Sequence, residues 1–353
     1  MTRLEKIKLN IPNGVDALLV TGEINQYYLT GFEFTDGYVI ITRSASLLLT
    51  DFRYIEAAKQ TASDEFEVRM FEGKRSLYMK DIFIELGIKN IAFEDEELTF
   101  ADLKKLEQTF ADITFSPMGD IIDKMREFKD EGEISNIIAA QRIAERAFEH
   151  ILGFINPERT EIDVALELEF FMRSHGAKDV SFKTIAVSGK ASSLPHGEPR
   201  PVKLEKGFLT MDFGAKVNGY CSDMTRTVCL GKADAEMKRV YNTVLEAQAA
   251  AREAFDFGKT GGEVDSVARK IIDKSGYKGC FGHSLGHGVG LNIHETPRVA
   301  PGSDTVLTAG HVVTCEPGIY IEGKFGVRIE DMVVFHRDRI ENITKATHEL
   351  IEL

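Results

Sequence analysis

Residues 211–227 read MDFGAKVNGYCSDMTRT, two polar-tipped arms around Asn218-Gly219. Asn-Gly is the preferred pair for a two-residue type I′ hairpin turn, because both central positions need positive φ. Counting outward from that turn pairs Val217 with Tyr220, Gly214 with Asp223, and Asp212 with Thr225. Cross-strand partners share a face, and so do residues two apart in one strand. Asp212 and Asp223 therefore become diagonal neighbours, about 7–8 Å apart at the backbone and closer between side chains. A loop one residue longer would send them to opposite faces. Asp212 stands between Met211 and Phe213, and a carboxylate in apolar company takes up a proton or finds a partner. Two such groups repel unless a proton or a cation sits between them. Taken alone, the pair also fits a solvated acidic face.

The last third of the chain repeats the anomaly. VVTCEPGIYIEG (312–323) and GVRIEDMVVF (326–335) read as two strands, each with a glutamate, Glu316 and Glu330, among Val, Ile and Met. Glutamate is seldom buried without a partner. Between the aspartates and the glutamates lies CFGHSLGHGVGLNIHETPR (280–298), a glycine-rich stretch holding His283, His287 and His294. Arg328, two positions before Glu330 on what reads as one strand, is expected on the same face, where a guanidinium would fix that carboxylate. Thr225, opposite Asp212, is expected to do the same through its hydroxyl.

Other motif readings fail on chemistry. The His283/His287 spacing resembles H-E-x-x-H, but Ser284 follows the first histidine; the glycines lack the Gly-Lys-Ser/Thr of a phosphate loop, and no G-x-S-x-G elbow is present. Carboxylates with an imidazole are mostly hard donors, suited to Mn²⁺ or a similar divalent ion, with Co²⁺ and Zn²⁺ as alternatives. Two ions would balance four negative charges, and a closely spaced pair of metals is a means of activating water.

The chain has 353 residues, 43% hydrophobic and 28% charged, long enough for two domains. A net charge of -13 and the lack of a basic run argue against nucleic acid or an anionic membrane as partner. The start, MTRLEKIKLNIPNGVDALLV, lacks the apolar core of a signal peptide, and no stretch is apolar for the length of a membrane span, so a cytoplasmic protein is expected. Its four cysteines show no C-x-x-C pair and read as scattered thiols. Residues 1–125 alternate short β-rich runs (DALLV, GYVIIT, SLLLT, KNIAFE) with helical stretches, as in a small α/β domain. From about 126 to 353 a second domain is expected: long amphipathic helices first, then strands carrying misplaced polar residues, with further helices near 234–256 and 261–275 and no internal repeat.

The ordered set MDFGAKVNGYCSDMTRT, GHSLGHGVGLNIHETPR, TCEPGIY and VRIEDM resembles the pita-bread metallopeptidase family that includes aminopeptidase P and prolidase. DALLVTGEINQYYLTGFEFTDGYVIIT resembles the creatinase-type N-terminal domain of the same family, so the resemblance spans nearly the whole chain. It implies an α+β fold, a pita-bread catalytic domain behind a smaller α/β domain. It implies two divalent metal ions per subunit held by Asp212, Asp223, His287, Glu316 and Glu330. It further implies that His196 of SLPHGEP, His283 and His294 line the substrate site, with His294 facing the oxyanion, Glu316 moving a proton, and Arg298 holding a dipeptide's terminal carboxylate. The activity implied is hydrolysis of the bond between residue one and a proline at position two of a short peptide, by a homodimer. A methionine aminopeptidase shares the five ligands but usually lacks the N-terminal domain, and a catalytically inactive binding module on this fold typically has lost ligands; all five are present here. The run VSGKASSLPHGEP departs from the family's usual wording ahead of its Pro-His pair.

Overall fold

Continuous aliphatic runs such as ALLV, YVIIT and SLLLT suit strands covered on both faces, where no polar alternation is needed. In the computed structural model, which describes residues 1–353, the chain divides into two compact units, Met1–Arg126 and Glu127–Leu353. In the first unit β1 (Ala17–Val20), β2 (Tyr38–Thr42), β3 (Ser46–Thr50), β4 (Glu67–Met70), β5 (Asn90–Phe93) and β6 (Thr114–Pro117) form one mixed sheet in the order β4-β3-β2-β1-β5-β6. Strands β1 to β3 are buried almost throughout. Around them run α1 (Arg3–Asn10), α2 (Glu23–Thr30), α3 (Ile55–Thr61), α4 (Arg75–Glu85) and α5 (Phe100–Thr109), with α6 (Ile121–Glu127) at the end of the unit. Met79, Ile82 and Phe83 of α4 pack with Leu19, Ile40, Leu47 and Phe93 of the sheet. The strands not expected from sequence, β4 and β6, are the sheet's edges: EVRM and TFSP are short and half exposed, so neither carries a strong apolar pattern.

The second unit uses one plan twice, where the sequence reading expected no repeat. A helix pair, α7 (Glu131–Phe154) and α8 (Glu161–Ser174), precedes one set of strands, and α9 (Ala235–Ala254) with α10 (Gly261–Ile272) precedes another. The second helix of each pair opens on a capping box, Thr160 with Asp163 and Thr260 with Glu263. Each capping threonine also makes an isolated antiparallel bridge farther on, to Lys203 and Val306 respectively. So little sequence is shared, a cap and an apolar stripe, that the repeat does not show as self-similarity.

After the first helix pair come β7 (Asp179–Val180), β8 (Ile185–Ser188), β9 (Gly207–Phe213), β10 (Ala215–Val217), β11 (Tyr220–Cys221) and β12 (Met224–Leu230). They form two three-stranded sheets, β12-β9-β8 and β11-β10-β7. After the second pair come β13 (Gly286–Gly288), β14 (Glu295–Val299), β15 (Val312–Cys315), β16 (Gly318–Ile321), β17 (Phe325–Arg328), β18 (Asp331–Phe335) and β19 (Ile340–Asn342). These form a five-stranded sheet, β14-β13-β15-β18-β19, and the ribbon β16-β17. Two cores fix the helices to the strands: Ala144, Phe148, Val164 and Leu168 with Leu209, Met211 and Phe213, and Val240, Val244 and Val264 with Val313, Val333 and Phe335. No helix is long and apolar enough to cross a membrane.

Candidate metal and catalytic site

The Asn218-Gly219 turn has φ 46° and 79°, both in the region a type I′ turn requires. Val217 pairs with Tyr220, Phe213 with Met224 and Asp212 with Thr225, the register counted from the turn. Between β9 and β10 the hairpin changes sheet at Gly214. A Cβ there would lie 1.9 Å from the Ser222 carbonyl oxygen, so the two backbones meet only because the residue is glycine. The register is the same on both sides of the break, and Asp212 and Asp223 keep their diagonal relation across it.

The second hairpin breaks in the same way, and here the sequence reading is corrected. Glu316 and Glu330 do not lie within continuous strands. Glu316 follows the end of β15, where Pro317 can offer no N–H to the ladder, and Glu330 falls between β17 and β18. Cys315 pairs with Asp331 and Gly318 with Arg328, so the unbroken count sets Glu316 opposite Glu330. Arg328 was expected to brace Glu330 from the same strand face. That rule needs an uninterrupted strand, and the break turns the guanidinium elsewhere. Its Nη2 donates to Asp212 Oδ2 at 2.6 Å, its Nε to Thr225 Oγ1 at 2.9 Å and its Nη1 to the Tyr320 hydroxyl at 2.9 Å. Thr225 Oγ1 in turn donates to Glu330 Oε2 at 2.6 Å. Arg328 thus touches Asp212 directly and Glu330 only through Thr225.

The residues read from the sequence, His196, Asp212, Asp223, His283, His287, His294, Arg298, Glu316, Arg328 and Glu330, line one cavity of about 790 Å³. Thr225 is fully buried behind the wall. His287 Nδ1 donates to the Gly288 carbonyl at 3.0 Å, which leaves Nε2 with its lone pair facing Asp223 Oδ2 at 3.6 Å and Glu316 Oε1 at 3.5 Å. A backbone acceptor fixing the other nitrogen is the usual support of a ligating imidazole. His283 differs: Nδ1 donates to the Ser284 carbonyl at 2.8 Å and Nε2 accepts from the Tyr320 hydroxyl at 2.9 Å, so both nitrogens are engaged. The rings of His196 and His294 make no hydrogen bond within the chain. The His294 ring lies 4.4 Å from that of His287, edge on.

Charge in this cavity is unbalanced. Burial, then Glu330, Asp212 and Glu316, pushes the Asp223 carboxyl well above its usual range. Burial, then Glu316 and Asp212, does the same to Glu330. Burial leads again for Glu316, which is pushed up to about 8. Burial lowers His283 and His287 to about 4, so both are neutral near pH 7. Asp212 Oδ1 is buried with no hydrogen-bond partner in the chain, and donor atoms of Asp223, His287 and Glu330 lie within 4.8 Å of one another. Separations of 3.5–3.6 Å around His287 Nε2 are too long for hydrogen bonds and suit donors that share a cation. An orphaned carboxylate oxygen, an aimed imidazole lone pair and mutually repelling hard donors are what divalent metal ions would satisfy.

Some of the wall and of the groups that support it from behind was not read from sequence. Thr314 Oγ1 accepts from the His287 N–H at 3.1 Å and donates to Glu316 Oε1 at 3.2 Å. The Tyr320 hydroxyl joins His283 to Arg328. Phe182, Ile185 and Ile293 supply apolar surface to the same cavity. Position two before Glu316 was a signal for Thr314; nothing local marks the others.

Residues 135–337 match the family model of metallopeptidase family M24, and residues 4–128 that of the creatinase/prolidase N-terminal domain. A Xaa-Pro dipeptidase of Pyrococcus horikoshii is 38% identical over 354 residues, covering 98% of this chain and 99% of the relative. Among solved structures, a Xaa-Pro dipeptidase from Bacillus anthracis superposes with TM-score 0.95 at 42% identity, covering 99% of both chains. An X-Pro aminopeptidase from Thermotoga maritima superposes with TM-score 0.93 at 39% identity over 100% of both. The chain belongs to metallopeptidase family M24, a mixed α/β protein in which a creatinase-type N-terminal domain precedes the pita-bread peptidase domain.

Proposed function

We propose that this protein is a Xaa-Pro dipeptidase, hydrolysing the bond between a first residue and a C-terminal proline, with Asp212, Asp223, His287, Glu316 and Glu330 holding two divalent cations, Mn²⁺ first among them. The observation that carries the reading is the convergence of these donors, one with a buried unpartnered oxygen, in a cavity that also holds free imidazoles and the Arg298 guanidinium. The names of the relatives in Pyrococcus horikoshii and Bacillus anthracis support the substrate class. When bound, the cations supply Lewis acidity and make water acidic enough to attack near neutral pH.

The chain's own groups do the rest. His294, with an unengaged ring at the cavity surface, donates to the carbonyl oxygen as negative charge develops there, the kind of positioned donor that stabilises a transition state. Glu316, aligned by Thr314, takes a proton from water and returns it to the leaving prolyl nitrogen. That nitrogen, tertiary in the peptide, departs as a neutral amine only once it has this proton, as any amide nitrogen does. Phe182, Ile185 and Ile293 form an apolar recess for the pyrrolidine ring, and Arg298 offers a two-pronged donor to the terminal carboxylate. His196 faces the substrate. His283, tied at both nitrogens, holds Tyr320 and through it Arg328 in place. The unbridged cysteines fit a reducing, cytoplasmic setting, and a homodimer is the assembly proposed.

The test is hydrolysis of alanyl-proline beside alanyl-prolyl-glycine by protein stripped of metal and reloaded with Mn²⁺. The reading expects the dipeptide to be strongly preferred. Comparable cleavage of the tripeptide would make the enzyme an Xaa-Pro aminopeptidase instead, and no cleavage of either would overturn the proline specificity.

A further inference from the structure

Five carboxylates stand in the cavity wall: Asp212, Asp223, Glu295, Glu316 and Glu330. Four belong to the candidate metal cluster. The fifth, Glu295, is paired with Lys129 at 3.0 Å, a contact in which both side chains are buried. Two cationic side chains in the same wall then remain without an acidic partner. Arg298 is one. The other is Lys183, exposed at the cavity surface and making no hydrogen bond or ion pair with its side chain within the chain. In a chain with 56 acidic and 43 basic residues, a lysine beside an acidic cavity that engages none of those acids is left for an anion from outside.

Its place in the chain says which part of a substrate it meets. Lys183 follows Phe182 and comes two residues before Ile185, the flanks of the apolar recess. Ile185 is itself held by backbone pairing to Asp212. Lys183 lines the same cavity on the segment that carries Phe182 and Ile185, and Arg298 lines it from β14. On the Xaa-Pro dipeptidase reading, on which this step rests, the group carried by the prolyl ring is the terminal carboxylate. We infer that Lys183 is a specificity-determining residue whose ammonium, with the Arg298 guanidinium, holds the carboxylate of the C-terminal prolyl residue. One cation alone would accept a longer peptide, whose proline carries a neutral amide, with less penalty. Two add to the preference for a free carboxylate, because both meet it as opposite charge and neither gains as much from a neutral amide.

The experiment compares alanyl-proline with alanyl-prolinamide, which differ only in that charge, on the Mn²⁺-loaded parent, Lys183→Met and Lys183→Arg. An exposed charge pair of this kind corresponds to about a fivefold effect at most. Lys183→Met is expected to raise KM for alanyl-proline about fivefold relative to its effect on alanyl-prolinamide, with kcat for the two substrates changing in parallel, and Lys183→Arg to restore the parent ratio. Equal changes on both substrates, or none, overturn the inference. So does a loss confined to glutamyl-proline and glutamyl-prolinamide, which would assign Lys183 to an acidic first residue. Failure of the parent to cleave alanyl-proline is a different result and sinks the Xaa-Pro reading itself.

Discussion

Replacing Thr225 by valine removes one buried hydroxyl and little else. Thr225 is fully buried, and its Oγ1 donates to Glu330 Oε2 at 2.6 Å while accepting from Arg328 Nε at 2.9 Å. Valine fills the same volume, so no cavity forms, but the swap is not neutral because both bonds disappear. Arg328 is ionised, and Glu330 becomes so when a cation is bound; a bond to an ionised group contributes about 1.5–3 kcal/mol. Arg328 keeps its bonds to Asp212 and Tyr320, which limits the damage on that side. Glu330 loses the donor that sets its carboxylate plane, and loss of such support behind a metal-binding group costs roughly 10–100-fold in affinity. Competition between the protein and a chromophoric chelator for Mn²⁺ near pH 7.5 reads this directly. Thr225→Val should bind at least about tenfold more weakly than the parent, and Thr225→Ser, which keeps the oxygen, should lie much closer to it. Affinity in Thr225→Val equal to the parent, or Thr225→Ser as weak as Thr225→Val, would refute the chain of bonds from Arg328 to Glu330.

Asp331→Ala should destabilise the fold by about 3–5 kcal/mol in urea titrations, because Arg226, 1% exposed, would lose the carboxylate it meets at 2.9 Å; a change under about 1 kcal/mol would show that the buried pair is dispensable. In chelator-treated protein Glu316 is held up to about 8, above the ordinary carboxylate range of the unfolded chain. The folded state therefore binds more protons, and stability falls as pH rises through that window. Above about pH 7.5 histidines are largely neutral in both states, so between about pH 7.5 and 8.5 the thermal midpoint should decline with pH when chelator is present and lose that slope when Mn²⁺ is added. A flat profile in chelator would contradict the repulsion described for the cluster.

Local rules carried the reading of the first hairpin a long way. A two-residue Asn-Gly turn and a side-chain period of two were enough to set Asp212 against Thr225 and to put Asp223 on the same face. The same rules misplaced Arg328, because nothing in strand propensity says that a chain will leave one sheet and join another between Arg328 and Asp331. Pro317 beside Glu316 was the available warning. The edge strands β4 and β6 escaped notice for want of apolar alternation, and the duplicated helix-pair plan because packing repeats without repeating residues. Phe182 reaches the cavity and Tyr320 meets His283 behind it through tertiary contacts alone, so their part was visible only once the segments had been brought together. The free imidazoles of His196 and His294 and the tied ring of His283 look alike as letters. Their hydrogen bonds separate them.

The central claim is that five donors from distant parts of the chain gather around a pair of divalent cations. Anomalous diffraction at the manganese edge, from crystals of the protein loaded with Mn²⁺, tests it most directly. Two peaks are predicted, enclosed by Asp212, Asp223, His287, Glu316 and Glu330, with Asp212 Oδ1 no longer without a partner. Absence of any peak among these side chains at saturating Mn²⁺ would contradict the account.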